Sequence, residues 1–285
     1  FMAEFTNQAS LIYNDNVINS NVVVGDLVQA LEASKTAVRA VYSADGDITY
    51  VISITNNSGN AYNGLTVTDD LGAYTYKAET LVPLRYTDGS LRYFVNGLLQ
   101  PALTPAVGVS LVISGVNVPA NGNVQLIYEA RPTVFAPLEA EAEITNTAAV
   151  TGAGIAEPVT ASSTISAASG EQLSISKSLS PSSVTSNGQV TYTFVIQNAG
   201  NIAADAALGA VVTDTFSPVL KNLAASFNGT PLVLNTDYTY DETTGVFATV
   251  PGTITVGAAA YTRNETTGAV EITPAVSILT VTGTI

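Results

Sequence analysis

The sequence contains no cysteine, no histidine and no tryptophan, and only one methionine in 285 residues. Without imidazole or thiol there is no Ser/His or Cys/His nucleophile pair and no imidazole or thiolate zinc site. A metal would have to be held by oxygen alone. Asp45, Asp47, Asp69 and Asp70 offer carboxylates, but not in the ordered spacing of an EF-hand loop, so no metal site and no cofactor is expected. Basic residues are scarce as well: 9 Lys and Arg stand against 23 Asp and Glu, a net charge of −14 that disfavours nucleic acid and anionic membrane surfaces. Neither end carries a hydrophobic run long enough for a signal peptide or a membrane span, and no wall-sorting tail is seen. Met2-Ala-Glu-Phe reads as a natural start, with Phe1 as an extra residue. These absences leave little room for an enzyme acting on an external substrate.

What the chain does have is β-branched and small polar residues, with 22 Gly and 12 Pro as punctuation. Segments of alternating character recur throughout. Ile48, Tyr50, Ile52 and Ile54 point one way while Thr49, Val51, Ser53 and Thr55 point the other, the period of a half-buried strand. Asn96-Gly97 and Asn228-Gly229 each sit between such segments, as tight hairpins require. A helix is hard to place; AVRAVYS after Lys35 is the one weak candidate. The sequons at Asn56, Asn228 and Asn264 read better as turns than as glycosylation acceptors.

Internal repetition organises the rest. EASKTAV, GDITYVISITNNSG and NGLTVTDDLG in the first half answer SISKSLS, GQVTYTFVIQNAG and LGAVVTDTFS in the second, in the same order. Lys35 corresponds to Lys177 and Tyr50 to Tyr192. The expected fold is all-β: two tandem immunoglobulin-like sandwiches at 27–159 and 173–285, joined by a small polar linker at 160–172. A third, partial copy stands at the N-terminus, where FTNQASL at Phe5 to Leu11 matches ITNTAAV at Ile144 to Val150 and Asn7 matches Asn146. The last segment of the sequence, AVEITPAVSILTVTGTI, matches GVNVPANGNVQLIYEAR of the first half. The second sandwich is thus expected to lack its last strand, and residues 1–26 to hold a strand of that type in excess.

The segments K...GDITYVISITN...VTDDLG...ITNTAAV resemble the conserved-repeat domains of unknown function of bacterial surface proteins and the related D2-type fimbrial domains. With FTNQASL at one end and TVTGTI at the other, the whole also resembles spore-appendage subunits of spore-forming Firmicutes, clostridia among them. The D2-type resemblance implies isopeptide chemistry, in which a buried Lys attacks an Asn side-chain amide beside a carboxyl group. Carried over by position, this gives Lys35, Asp69 and Asn146 within the first sandwich, with Asp70 as the fallback acid. In the second it gives Lys177 and Asp214, with Asn7 of another copy as the amide. The bland alternative is a pair of buried Lys–Asp contacts and a turn-capping Asn.

The expected function is therefore a structural subunit of an extracellular or spore-surface filament, assembled in the latter case within the mother cell. It would join head to tail with copies of itself. The strand Phe5 to Tyr13, with Phe5, Asn7, Ala9 and Leu11 facing inward, would enter the second sandwich of a neighbour. The alternative is a monomeric surface adhesin or ligand-binding module that grips its target with the loops at one end of a sandwich.

Overall fold

The computed structural model describes residues 3–27 and 30–285, with side chains at 5–25 and 30–285; the expected start at Phe1 and Met2 lies outside the described residues. The described residues contain no α-helix, and AVRAVYS is not helical. Its β-branched and aromatic residues serve strand ends, Leu31–Ala37 before it and Val41–Tyr42 within it.

The strands in chain order begin with β1 (Ala3–Asn7), β2 (Ser10–Tyr13), β3 (Asn16–Asn19) and β4 (Val23–Leu27). The first sandwich is built from β5 (Leu31–Ala37), β6 (Val41–Tyr42), β7 (Ile48–Asn56), β8 (Tyr62–Asp69), β9 (Tyr74–Tyr76), β10 (Glu79–Leu81), β11 (Leu84–Tyr86), β12 (Arg92–Val95), β13 (Leu98–Leu99), β14 (Ala106–Val107), β15 (Leu111–Val118), β16 (Asn123–Pro132), β17 (Glu143–Thr151) and β18 (Val159–Ala167). The second comprises β19 (Leu173–Ser180), β20 (Gln189–Asn198), β21 (Thr213–Thr215), β22 (Lys221–Phe227), β23 (Thr230–Pro231), β24 (Tyr238–Tyr240), β25 (Val246–Thr249), β26 (Ala260–Arg263), β27 (Val270–Thr273) and β28 (Ala275–Thr284), with a single 3-10 turn at Ala206–Leu208.

By spatial contact the chain divides into two compact units. One holds the residues up to Ala40, Asp47–Arg131 and Thr145–Thr164; the other holds Val41–Gly46, Pro132–Ile144 and Ile165–Ile285. The first sandwich has one sheet in the order β13-β12-β16-β7-β5 and another in the order β14-β15-β8-β17-β18-β6. The alternating residues Ile48, Tyr50, Ile52 and Ile54 of β7 are all buried, and so are Leu65 and Val67 of β8 and Val124, Leu126 and Tyr128 of β16. Period-two alternation thus delivers one apolar face per strand to the core.

The second sandwich repeats the first of these sheets as β19-β20-β28-β22-β23. The second sheet is cut down to β21-β25-β24. In the first sandwich β8 is flanked on one side by β15 and on the other by β17. β21, which carries the corresponding Asp, has a ladder with β25 alone. Among the described residues no strand stands where β17 and β18 would be. The core that remains gathers Phe194, Phe216, Leu220, Phe247, Leu279 and Val281 with neighbours.

Two expectations need correction. Residues 160–172, expected as a linker, contain most of β18, whose Val159, Ala161, Ile165 and Ala167 are buried; alternation of small apolar residues with Ser and Thr hid a strand in a stretch that looks like polar spacer. Residues 1–26, expected to carry Phe5 to Tyr13 as the donor strand, hold it in a hairpin instead: β1 pairs antiparallel with β4 and β2 with β3 around Asn14 and Asp15, both with positive φ. Asn and Asp tolerate that left-handed region, which is what a two-residue hairpin turn needs.

The Asn-Gly hairpins are present, Asn96-Gly97 joining β12 to β13 and Asn228-Gly229 joining β22 to β23, with positive φ at all four residues. Asn56 is buried and holds a loop: its amide donates to the carbonyls of Asn60 and Pro119, and its oxygen accepts from the Ser58 amide. Asn198 does the same for Ile202, Gly257 and Gly200. Asn264 caps a turn through Thr266 and Thr267. Asn56→Ala and Asn198→Ala each remove a buried carboxamide that holds several backbone groups of half-buried loops, at about 1–3 kcal/mol for each group left unsatisfied. Denaturant unfolding should place both variants at least about 2 kcal/mol below the parent; losses under about 0.5 kcal/mol, the range of plain surface changes, would contradict the assigned role.

Candidate functional site

β5 pairs with β7 so that Lys35 lies opposite Ile52, and β16 pairs with β7 so that Tyr128 lies opposite Tyr50. Asp69 ends β8, and β17 runs beside it with Ala148 opposite Asp69. The two sheets therefore meet at one buried polar cluster. The Lys35 Nζ donates to Asp69 Oδ2 at 2.7 Å, and both side chains are wholly buried. The Tyr128 hydroxyl donates to the same carboxylate oxygen at 2.6 Å and accepts from Asn146 Nδ2 at 3.0 Å. The other carboxylate oxygen, Oδ1, accepts from the Leu71 amide. Asn146 is buried, and its carbonyl oxygen Oδ1 has no hydrogen-bond partner.

The structure thus brings Lys35, Asp69 and Asn146 into one network and adds Tyr128. Sequence reasoning missed the phenol, since a Tyr in a strand is ordinary; its pairing with Tyr50, whose ring stacks on it at 5.5 Å, is the only signal. Asp70, the fallback acid, is not part of the network. Its carboxylate accepts from the Gly72 and Thr147 amides and pins the loop after β8 to β17. Asp47 is drawn off to Arg131 at the surface. The described residues hold no group of three or more acidic side chains able to share an ion.

Burial lowers the pKa of Lys35 below the usual lysine range, with the Asp69 carboxylate pulling the other way. Burial, reinforced by the adjacent Asp69 charge, pushes Tyr128 well above its ordinary value. The arrangement can therefore present a lysine amine whose charged form burial disfavours, a carboxylate and a carboxamide with an unmatched carbonyl oxygen.

The corresponding place in the second sandwich is open. Lys177 forms an ion pair with Asp214, and its ammonium lies over the rings of Tyr192, Phe194 and Phe216 at 4.6, 5.4 and 5.3 Å. Its side chain is nevertheless 40% exposed. Val281 stands opposite Tyr192 where Tyr128 stands opposite Tyr50, so this site has no counterpart of the Tyr128 phenol. Among the described residues no Asn approaches from a β17-like strand. Asn7, the proposed third member, lies on β1, opposite Val23 of the same chain.

The exposed site continues as an apolar groove. Leu31 on β5 is 2% exposed, whereas Leu173, its counterpart on β19, is 42% exposed, and Ile175 and Leu179 are exposed as well. Leu173 and Ile175 form one wall, Val211 and Val212 before β21 the other, and Ile196, Ile254 and Val256 line the floor.

The lowered pKa of Lys35 has a pH consequence, measurable where Asn146→Ala keeps the amine free. With its folded pKa below its unfolded value, Lys35 is protonated more readily in the unfolded chain, so its contribution to stability rises with pH and is complete near 10.4. The raised pKa of Tyr128 acts oppositely, but only above about 10. Stability of Asn146→Ala should therefore climb as pH rises towards about 10, and adding Lys35→Met should remove the climb. The same slope with and without Lys35 would refute the assignment.

No protein-family model matches the sequence, and no curated protein matches it either. Solved structures do show similarity. The pilus backbone (RrgB) of Streptococcus pneumoniae matches at 12% identity and a TM-score of 0.35, over 86% of this chain and 55% of that one; this chain thus spans about half of that protein's length. A 35 kDa C-terminal fragment of the major pilin GBS80 of Streptococcus agalactiae matches at 12% identity and a TM-score of 0.36, over 87% of this chain and 91% of that one. The collagen-binding domain of a Staphylococcus aureus adhesin matches at 11% identity and a TM-score of 0.30, over 50% of this chain and 98% of that one. These values describe a loose likeness among proteins and assign no role to any residue here.

Proposed function

We propose that this chain is a structural subunit of an extracellular or spore-surface filament, joined head to tail by strand donation. The observation that carries the reading is the contrast between the two sandwiches. β17 fills the edge of β8, and β21 has that edge bare beside an uncovered apolar groove. Residues 5–11 read FTNQASL against ITNTAAV of β17. In β17 the inward residues Ile144, Asn146, Ala148 and Val150 are buried; the matching residues are Phe5, Asn7, Ala9 and Leu11. Phe5 and Leu11 are exposed on their own chain. Burying a large apolar side chain is worth about 1.5–3 kcal/mol, so covering Phe5, Leu11, Leu173 and Ile175 supplies a strong drive to join. Main-chain hydrogen bonds to the bare edge would add register. The spore surface as location rests on sequence resemblance.

Within the first sandwich we propose an isopeptide bond. The Lys35 amine attacks Asn146 Cγ, the Nζ–Cγ bond forms, Cγ–Nδ2 breaks, and ammonia leaves after taking a proton relayed by Asp69. Such a bond closes a loop of about 111 residues, worth roughly 4 to 5 kcal/mol by the chain-entropy account of cross-links. Between copies, Lys177 and Asp214 would do the same to Asn7 of the incoming strand, burial on docking being what lowers the Lys177 barrier. The chain is in this account no enzyme toward external substrates, and its partner is itself.

Denaturing electrophoresis with intact-mass measurement, on the parent and on a chain lacking residues 1–20, tests the reading. A ladder lost on deletion is the expected result for covalent joints, and fibres that dissolve in denaturant but vanish on deletion are expected for donation alone. Monomers in both cases would overturn the proposal in favour of a monomeric binding module. Loss of one ammonia per chain, abolished by Lys35→Ala, is expected separately for the internal bond; an unchanged full mass in the parent would exclude it.

A further inference from the structure

We infer that the donated element is the entire N-terminal hairpin, with β1 and β2 against β21 and with β3 and β4 outside them in the place that β18 occupies in the first sandwich. This deepens the strand-donation reading and rests on it.

Three observations converge. First, among the described residues the short sheet β21-β25-β24 of the second sandwich has counterparts of neither β17 nor β18. A single incoming strand would leave a new bare edge in place of the old one, and would leave the outer part of the groove uncovered. Second, the N-terminal segment is already a two-stranded antiparallel unit: Phe5 lies opposite Gly25, Asn7 opposite Val23 and Leu11 opposite Ile18. β17 and β18 are likewise neighbours in their sheet, Thr145 bonding Thr164 and Thr147 bonding Ser162 across the outer face. Third, the connectivity is the same. β17 and β18 complete the sandwich before them and lead directly into β19; β3 and β4 lead directly into β5. A hairpin that leads into one sandwich and finishes another is therefore the repeating unit, and the N-terminal hairpin has that form.

Residues opposite one another across an antiparallel pair share a face. The inward face of the donated unit is then Phe5, Asn7, Ala9 and Leu11 on one strand with Ile18, Val23 and Gly25 on the other. Gly25 fits this face for a stated reason: a Cβ there would lie 2.4 Å from the Phe5 ring, so the ring already rests flat across the second strand. The pair enters as one preformed wedge, with its internal hydrogen bonds kept. Transfer of one strand would first break the β1–β4 and β2–β3 ladders, an ordering cost that whole-hairpin transfer avoids. The occupant is a second copy of this chain.

The chain's lack of cysteine makes the test clean. Thr6 and Val24 are register partners, as are Ile12 and Val17, and each pair faces away from the proposed docking face. Thr6→Cys with Val24→Cys, or Ile12→Cys with Val17→Cys in a second full-length chain, locks the hairpin shut on oxidation. The locked chains are expected to assemble with no loss relative to their reduced forms. Assembly that appears only after reduction, in both variants, would show that the strands must separate, and would overturn the hairpin while leaving single-strand donation intact. A third chain carries Ser10→Cys and Thr213→Cys, which correspond to the paired Ala149 and Thr68 of the first sandwich. It is expected to cross-link between copies; no intermolecular link there would overturn donation itself and the hairpin with it.

Discussion

The structure turns on one ladder. In the first sandwich β17 lies along β8, four register pairs from Ala148–Asp69 to Thr151–Thr66, and this contact extends the sheet and brings Asn146 to the Tyr128 hydroxyl of the buried cluster. The second sandwich is without that ladder: it has the same lysine, the same aspartate and the same aromatic neighbour on the next strand, but Lys177 is partly exposed and its strand is exposed along its whole length. A sheet edge and an apolar face left open together are costly in water and hazardous in a crowded environment. The two halves of one sequence thus act as a control for each other.

The chemistry of the first site follows from what the ladder excludes. A Lys–Asp pair in water is two solvated ions of little consequence. Sealed between sheets at 2.7 Å, with a phenol on the same carboxylate oxygen and a carboxamide beyond it, the lysine loses the solvation that favours its charged form. The unpartnered oxygen of Asn146 is the remaining irregularity of that cluster. Buried polar atoms without partners are uncommon and mark places where a structure serves something other than stability. The second site has the first two components but cannot acquire that character until something excludes water from it.

Much of this was legible in the residues. Alternation at Ile48, Tyr50, Ile52 and Ile54, the Asn-Gly turns, and the match of Lys35 with Lys177 gave the sandwiches, their hairpins and the position of the two lysines, because period and turn chemistry are local properties. The likeness of FTNQASL to ITNTAAV pointed to the strand that the second sandwich is without. What was not legible depended on neighbours distant in sequence or on weak polarity contrast. Tyr128 reads as a generic strand residue until its register with Tyr50 is known. β18, in Val-Thr-Ala-Ser-Ser-Thr-Ile-Ser-Ala, alternates residues too small to stand out from a linker. The hairpin at the N-terminus was announced by Asn14-Asp15 between SLIY and NVIN, a turn signal outweighed by attention to the longer extended match.

The most direct measurement of the central claim is amide hydrogen exchange at Thr213 and Thr215, which alternate with the positions bonded to β25, compared between assembled protein and a chain lacking residues 1–20. An edge with no partner exchanges quickly, and one in a ladder is protected to the extent of the structure that must open. The account requires slow exchange on the outer edge of β21 in the assembled protein and fast exchange in the truncated chain. Protection that persists after the truncation, or exposure that persists after assembly, would mean that the edge is closed from elsewhere or not at all.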